Sequence, residues 1–402
     1  MSAPKNPGTP LEGITVLDLG QIYLGPYATL LLAKAGANVI KVEPIKGEPV
    51  RSRGEVRKGG LLPFAMLNSN KRGITLNLKT ERGRELCKEM VKRSDILLEN
   101  FAPGAMDSLG LGFSVLHELN PRLIYASGTG YGLSGPDRDR LAMDVTVQAA
   151  SGVMSVTGFS DGPPMKAGIA VADFLAGIHL YAAVMTALYE REHTGVGRLV
   201  EVAMEEAVYP TLASSLGMQY DSESEVTRTG NQHGGLAISP YNVYPTKDGH
   251  VALACVVENH WPQLLEAMGR EDLKDDPRFA TNAKRSARMA ETDAIVLAWT
   301  RKLTSEEIFE ITKRYRVPCS PVRNLREVMT DPHMHERGML EWIDHPVLGR
   351  IVVPTTPLRL HGAPRVPTVP SPSLGEHNAE IYSEWLGLSA TDIEKLKADG
   401  VI

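Results

Sequence analysis

Apolar positions in the first 220 residues fall into short runs of strand length, each followed by a loop rich in Gly, Pro or Asn and then by a stretch of helical spacing. Residues 14–19 form the first such run. It leads through Gly20, Gln21, Ile22, Tyr23, Leu24 and Gly25 into an apolar helix with Pro26 in its first turn and Gly36 after its end. Residues 38–43 follow as a second strand. The alternation continues with strands at 73–78, 95–100, 123–127 and 197–204 and helices at 82–93 and 205–219. Between the second and third strands lies a basic stretch, 51–58, expected to be mobile. Strands that alternate with helices and end in turn-forming loops predict an α/β fold: a doubly wound, mostly parallel, Rossmann-like sheet with its ligand at the carboxyl ends of the strands.

The pattern changes after residue 220. Residues 221–225 are polar and acidic, 227–235 are rich in turn formers, and 241–254 read as a hairpin about Lys247, Asp248 and Gly249. Helical stretches follow near 260–268, 287–303 and 305–314. This predicts a large nucleotide-binding domain over 1–220, a smaller α+β domain over 221–325, and a return to the large domain over 326–402.

The chain is organised around residues 168–192. Ile178, Tyr181, Met185, Leu188 and Tyr189 recur at three- and four-residue spacing, which predicts a long, mostly buried helix with Asp173 at its start. Two readings of Asp173 stay open here. It is an N-cap that accepts free backbone amides, or it is a nucleophile, an ionised carboxylate with room for a substrate beside Ala172, Ala176 and Gly177.

Composition narrows the partners. In 402 residues, 43% apolar and 23% charged is a globular balance, and a formal charge of -5 without a basic stripe argues against nucleic acid. Residues 1–10 are polar and Pro-rich, and no apolar run approaches the ~20 residues that span a bilayer. The expectation is a cytoplasmic protein with no membrane partner. Cys87, Cys255 and Cys319 lack metal-like spacing, and no metal or prosthetic group is expected. The first loop lacks the Gly-x-Gly-x-x-Gly spacing of a nicotinamide site, although another adenine nucleotide would fit there. Lys71 and Arg72, in a polar loop at a strand edge, are either phosphate ligands or an ordinary solvent-facing turn.

Several motifs occur together in one order. They are residues 11–19, Gly25-Pro26, residues 36–44, Asn70-Lys71-Arg72, Glu99-Asn100-Phe101 with Pro103-Gly104, residues 128–135, Thr157-Gly158-Phe159, Gly162-Pro163-Pro164, Ala172-Asp173, residues 194–197 and residues 374–377. In these the chain resembles the class III coenzyme A transferases, a family that also holds the formyl-CoA transferases, alpha-methylacyl-CoA racemases and carnitine-type CoA-transferases.

The resemblance implies an interlocked homodimer, with each active site between the large domain of one subunit and the small domain of the other. It implies Asp173 as the nucleophile. It places Ile22, Tyr23 and Leu24 beside the CoA, Lys71 near its phosphates, Asn100 and Phe101 in contact with it, and Gly234 and Gly235 in a lid. Pro44 and Ser108 stand where some relatives carry Arg, which makes Arg72, Arg51 or Arg140 the candidate substitutes. In the racemases a His-Asp pair precedes the aspartate by about thirty residues; here that position reads Met143-Asp144.

A thioether accepts no proton, whereas racemisation needs two acid/base groups and transfer needs one carboxylate. The expected activity is therefore reversible CoA transfer from an acyl-CoA such as succinyl-CoA to a short-chain or dicarboxylic acid through an aspartyl-CoA thioester, with acyl-CoA as substrate. Arg140, Arg228 and His233 are candidates for holding a second carboxylate. The alternatives are a racemase and a catalytically silent CoA-binding protein.

Overall fold

The structure, a computed structural model, describes residues 8–223, 225 and 228–402. The beginning of the polar segment 1–10, part of the 221–225 linker and the first residue of the 227–235 loop lie outside the described residues. The chain divides into two compact units. One holds the chain up to Val147 with Ala170–Val208 and Asp331–Ile402; the other holds Gln148–Ile169 and Tyr209–Thr330.

The first unit is built on six strands: β1 (Thr15–Asp18), β2 (Asn38–Glu43), β3 (Arg72–Thr75), β4 (Ile96–Glu99), β5 (Ile124–Thr129) and β6 (Leu199–Ala203). Their order is β3-β2-β1-β4-β5-β6, and every neighbouring pair is parallel. Val16, Leu17, Ile40, Ile96, Leu97, Leu98 and Ile124 are buried, as continuous aliphatic runs must be when helices cover both faces of a sheet. Strand order reverses at β1, between β2 and β4. The crevice beyond the ends of β1 and β4 is thus where an open α/β sheet binds its ligand. The C-terminal segment packs back on this sheet: Tyr382 donates from its hydroxyl to the Thr75 carbonyl at 2.7 Å, and Asn77 donates its amide to Val401 at 2.8 Å.

Two expectations are corrected. The basic stretch 51–58, expected as a loop without regular structure, is helical over most of its length, in α2 (Pro49–Val56). Pro49 suits the first helical turn, and Arg51 fastens the helix with two 2.7 Å bonds to Glu43 while stacking 3.7 Å over the Phe64 ring. Residues 205–219 are not one helix. Pro210 supplies no amide, and the segment breaks into Met204–Val208, a 3-10 turn at Tyr209–Leu212, and Ala213–Tyr220.

The second unit carries an antiparallel sheet of β7 (Tyr241–Pro245), β8 (His250–Ala254) and β9 (Cys319–Pro321). Helices His260–Met268, Met289–Thr300 and Ser305–Arg314 contribute Trp261, Leu264, Val296 and Ile308 to its core. Among the described residues one helix, Val171–Thr194, is long and apolar enough to cross a bilayer by composition. It is a core helix of the first unit: Ala172, Ala176, Leu180, Val184 and Leu188 lie buried along one side.

Candidate active site

The loop after β1 is held from beneath by buried charge. Asp18, the last residue of β1, accepts the Gly20 amide at 2.8 Å, and Lys41 of β2 donates to the Gly20 carbonyl. Glu48 accepts the Ile22 amide at 2.8 Å and pairs with Lys41 at 3.2 Å. Asn100, just past β4, accepts the Gln21 amide at 2.7 Å and donates to the Gln21 carbonyl at 3.0 Å. Every backbone group from Gly20 to the Ile22 amide is thereby spoken for, and Ile22 is held at φ 66°, a left-handed conformation that a β-branched residue adopts only under constraint. The loop is rigid where a ligand would meet it. Gly25 makes this compactness available, because a Cβ there would sit 2.7 Å from the Gly20 Cα.

The loop delivers Leu24 as the first residue of helix α1 (Leu24–Lys34). Tyr23 caps that helix without a side-chain bond, so the first-turn amides need another acceptor. The Asp173 carboxylate lies close enough to the Leu24 amide for that amide to favour its charged form. Asp173 does not cap its own helix, whose N-cap is Ala170. There the acceptor is Asp144, which takes the Ala172 amide at 2.9 Å and the Asp173 amide at 3.3 Å. One turn beyond Asp173, Gly177 lets α1 come close, since a Cβ on it would lie 2.9 Å from the Leu24 carbonyl oxygen and 3.2 Å from the Tyr27 ring.

Asp173 is only 8% exposed. Burial, reinforced by the Asp144 charge, pushes its carboxyl up to about 7, against the lowering pull of the Leu24 amide and of Arg53. Two helix N-termini, its own and that of α1, favour the charged form. The result is a carboxylate that is partly ionised at neutral pH and more basic than a solvated one, with an amide donor in place. Phe174 walls the site beside it, stacked on Tyr23 with centroids 6.0 Å apart and edge-on to Tyr27 at 4.9 Å.

The structure therefore brings Ile22, Tyr23, Leu24, Asn100 and Asp173 together. Phe101 lies next to Asn100 but packs partly into the core. Lys71 has a different place from the phosphate-facing position. Its ammonium and the Asp18 carboxylate are 2.9 Å apart with both side chains 0% exposed, and it also donates to Pro26, Thr29 and Asn68. All its donors are used inside the fold, because an ion pair this deep must be closed by hydrogen bonds. Burial pulls Lys71 down to about 8 despite Asp18. Arg72 is half-exposed and pairs with Glu380 and Asn38, and Arg51 is committed to Glu43.

Arg140 is exposed, bonded to Asp137 at 3.1 Å and stacked 4.8 Å over Tyr131. In the second unit His233 accepts the Gly235 amide at 3.2 Å and meets the Tyr241 ring at 5.5 Å, while Arg228 donates to the carbonyls of Phe159 and Gly162. Gly234 and Gly235 pack on Ser215 and Ser214 of the same unit.

The sequence reading missed Asp144 as the acceptor at the Asp173 helix, the Lys41–Glu48 pair under the loop, and Arg53. Only the acidic spacing of Asp144 and Asp173 could have pointed to the first. A cavity of about 340 Å³ lined by Lys34, Tyr181, Met185, Arg359 and Arg365 begins two turns along the helix from Asp173 and is separate from this site.

The comparisons with known proteins agree on one family. Residues 11–378 match CoA-transferase family III. The chain is 39% identical over 409 residues to the formyl-CoA:oxalate CoA-transferase of Streptomyces avermitilis, covering 98% of this chain and 99% of that protein. It is 37% identical to the succinyl-CoA–D-citramalate CoA-transferase of Chloroflexus aurantiacus, covering 99% of each. Among solved structures, a CaiB/BaiF family protein from Brucella suis superposes with a TM-score of 0.82 at 33% identity, over 94% of this chain and all of that one. The chain belongs to CoA-transferase family III, and it is an enzyme of the CoA-transferase class.

Proposed function

We propose that this enzyme moves CoA reversibly between an acyl-CoA thioester and a free short-chain or dicarboxylic acid, in the cytoplasm, through an aspartyl-CoA thioester on Asp173. The observation that carries the reading is the setting of Asp173: a buried carboxylate with a raised pKa, facing the Leu24 amide. The two transferases named above pair formyl-CoA with oxalate and succinyl-CoA with D-citramalate, which supports small organic acids as substrates.

Asp173 attacks the donor thioester carbonyl, the C–S bond breaks, and a mixed anhydride and CoA thiolate result. The thiolate attacks the aspartyl carbonyl of the anhydride and releases the donor acid, leaving Asp173 as its CoA thioester. The acceptor carboxylate attacks that thioester and expels the thiolate again. Attack of the thiolate on the acceptor carbonyl then gives the new acyl-CoA and returns Asp173 as a free carboxylate. No proton is consumed. In this reading the Leu24 amide holds negative oxygen on the aspartyl side of each tetrahedral species, which its influence on the Asp173 carboxylate supports.

In this reading Ile22, Tyr23, Leu24 and Asn100 face the thioester end of CoA. Arg72 and Arg140 are the remaining phosphate candidates, because Lys71 and Arg51 are spent in the fold. Gly234, Gly235 and His233 belong to a lid that excludes water from the anhydride. The assembly is an interlocked homodimer whose small domain, from about residue 221 to 325, completes the partner's site, and light scattering on active enzyme should give a dimer. The test of the reaction is a panel of donor thioesters and acceptor acids run in deuterated water. New acyl-CoA without label at the alpha carbon supports transfer. Rapid alpha exchange of a 2-methylacyl-CoA supports a racemase, which Met143 argues against, and CoA binding without either reaction supports a silent binding protein.

A further inference from the structure

Arg53 is the half-buried cation nearest in effect to Asp173, and its partners are unlike those of its neighbours. Arg51, two residues earlier on α2, points to the opposite side and is neutralised bidentately by Glu43. Arg53 instead donates to the Tyr23 hydroxyl at 2.5 Å and stacks 5.4 Å from the Tyr23 ring. Among the described residues it has no carboxylate at ion-pair distance. A phenol oxygen satisfies one of five donors, so a planar guanidinium, preset by the ring it lies on, keeps a free fork that fits a carboxylate.

The place of that fork fixes what it serves. Tyr23 stacks on Phe174, the residue next to Asp173, and Arg53 lies on Tyr23. With Asp173 as the nucleophile the reacting acyl carbon must sit beside it, which puts Arg53 near the acyl group. The pantetheine arm of CoA keeps its phosphates far from the thioester, so an anion beside Arg53 belongs to the acyl group.

We propose that Arg53, supported by Tyr23, binds the distal carboxylate of a dicarboxylic substrate whose other carboxyl group reacts at Asp173. This rests on the transferase reading and narrows it. Arg53 selects a diacid over the corresponding monoacid by exchanging its phenol contact for a charge-assisted pair. Arg140, Arg228 and His233, the candidates from sequence, are bonded instead to Asp137, to backbone carbonyls and to backbone amides.

The test compares kcat/KM for succinate and glutarate with that for butyrate and pentanoate as acceptors, in wild-type enzyme, Arg53→Gln and Arg53→Lys. In ping-pong kinetics this quantity does not depend on the donor half-reaction. Wild type should favour the diacids. Arg53→Gln should cut the diacid-to-monoacid ratio by roughly 30-fold or more, mainly through KM, and Arg53→Lys should restore part of it. An unchanged ratio in Arg53→Gln, an equal fall for both acid classes, or a wild type that prefers monoacids or the monomethyl ester of glutarate overturns the proposal. Acylation of Asp173 by donor thioester alone is measured in parallel. If it occurs while the ratio does not move, only the Arg53 assignment fails; if it does not occur, the transferase reading itself fails.

Discussion

Asp144 and Asp173 face each other as acceptor and donor: the Asp144 carboxylate takes the backbone amide of Asp173 at 3.3 Å, which sets one negative charge beside another that must form for reaction. Burial first, then this charge, raises Asp173 from 3.8 to about 7. A group whose folded pKa is raised ionises later in the enzyme than in the unfolded chain. Its ionisation therefore costs stability as pH rises from 3.8 to about 7, while the same ionisation creates the nucleophile.

The first prediction follows from that opposition. Transfer should rise with pH along a limb near 7, and Asp144→Asn, which keeps the cap because Asn accepts amides as well as Asp does, should move the limb to lower pH. Over the same interval the wild type should lose stability relative to Asp173→Asn. A limb that stays in place in Asp144→Asn removes Asp144 as a cause.

The second concerns Lys71. If it is a fold residue, Lys71→Met strands the Asp18 carboxylate in the core and should lower unfolding stability by about 3–5 kcal/mol in denaturant titration. The KM for acyl-CoA of the folded fraction should change little. Intact stability with a large rise in that KM would return Lys71 to the phosphate role.

A third tests the contact of the Asp173 helix with α1. Gly177→Ala places a methyl group against the Leu24 carbonyl, at 2.9 Å before relaxation, and must shift the helix that carries Asp173. A displacement approaching 1 Å costs on the order of 10²-fold in rate. The loss should appear in kcat more than in KM. Full kcat in Gly177→Ala would show that the Asp173–Leu24 alignment is not critical.

Much of the large unit could be read in the sequence because its signal is local. Aliphatic runs at 14–19, 38–43 and 95–100 separate cleanly from the amphipathic helices between them, and all three appear as parallel strands within a residue or two of the expected bounds. Asp173 stood out by the small residues around it. Its environment did not, because Leu24, Asp144 and Arg53 reach it from other elements. Lys71 misled for the same reason: Asn70-Lys71-Arg72 looks like a polar turn, and only the approach of Asp18, 53 residues earlier, turns one of its cations inward. Arg53 was hidden in a stretch whose many charges suggest mobility, since neither the Glu43 anchor nor the Tyr23 ring is a local feature.

The most direct measurement of the central claim is covalent. Wild-type enzyme mixed with donor acyl-CoA and then hydroxylamine, digested and analysed by mass spectrometry, should carry a hydroxamate at Asp173 alone. Asp173→Asn should fold, bind CoA, keep its place beside the Leu24 amide and carry none, with turnover lower by several orders of magnitude. A label on Asp144 instead, or near-wild-type transfer by Asp173→Asn, would contradict the account.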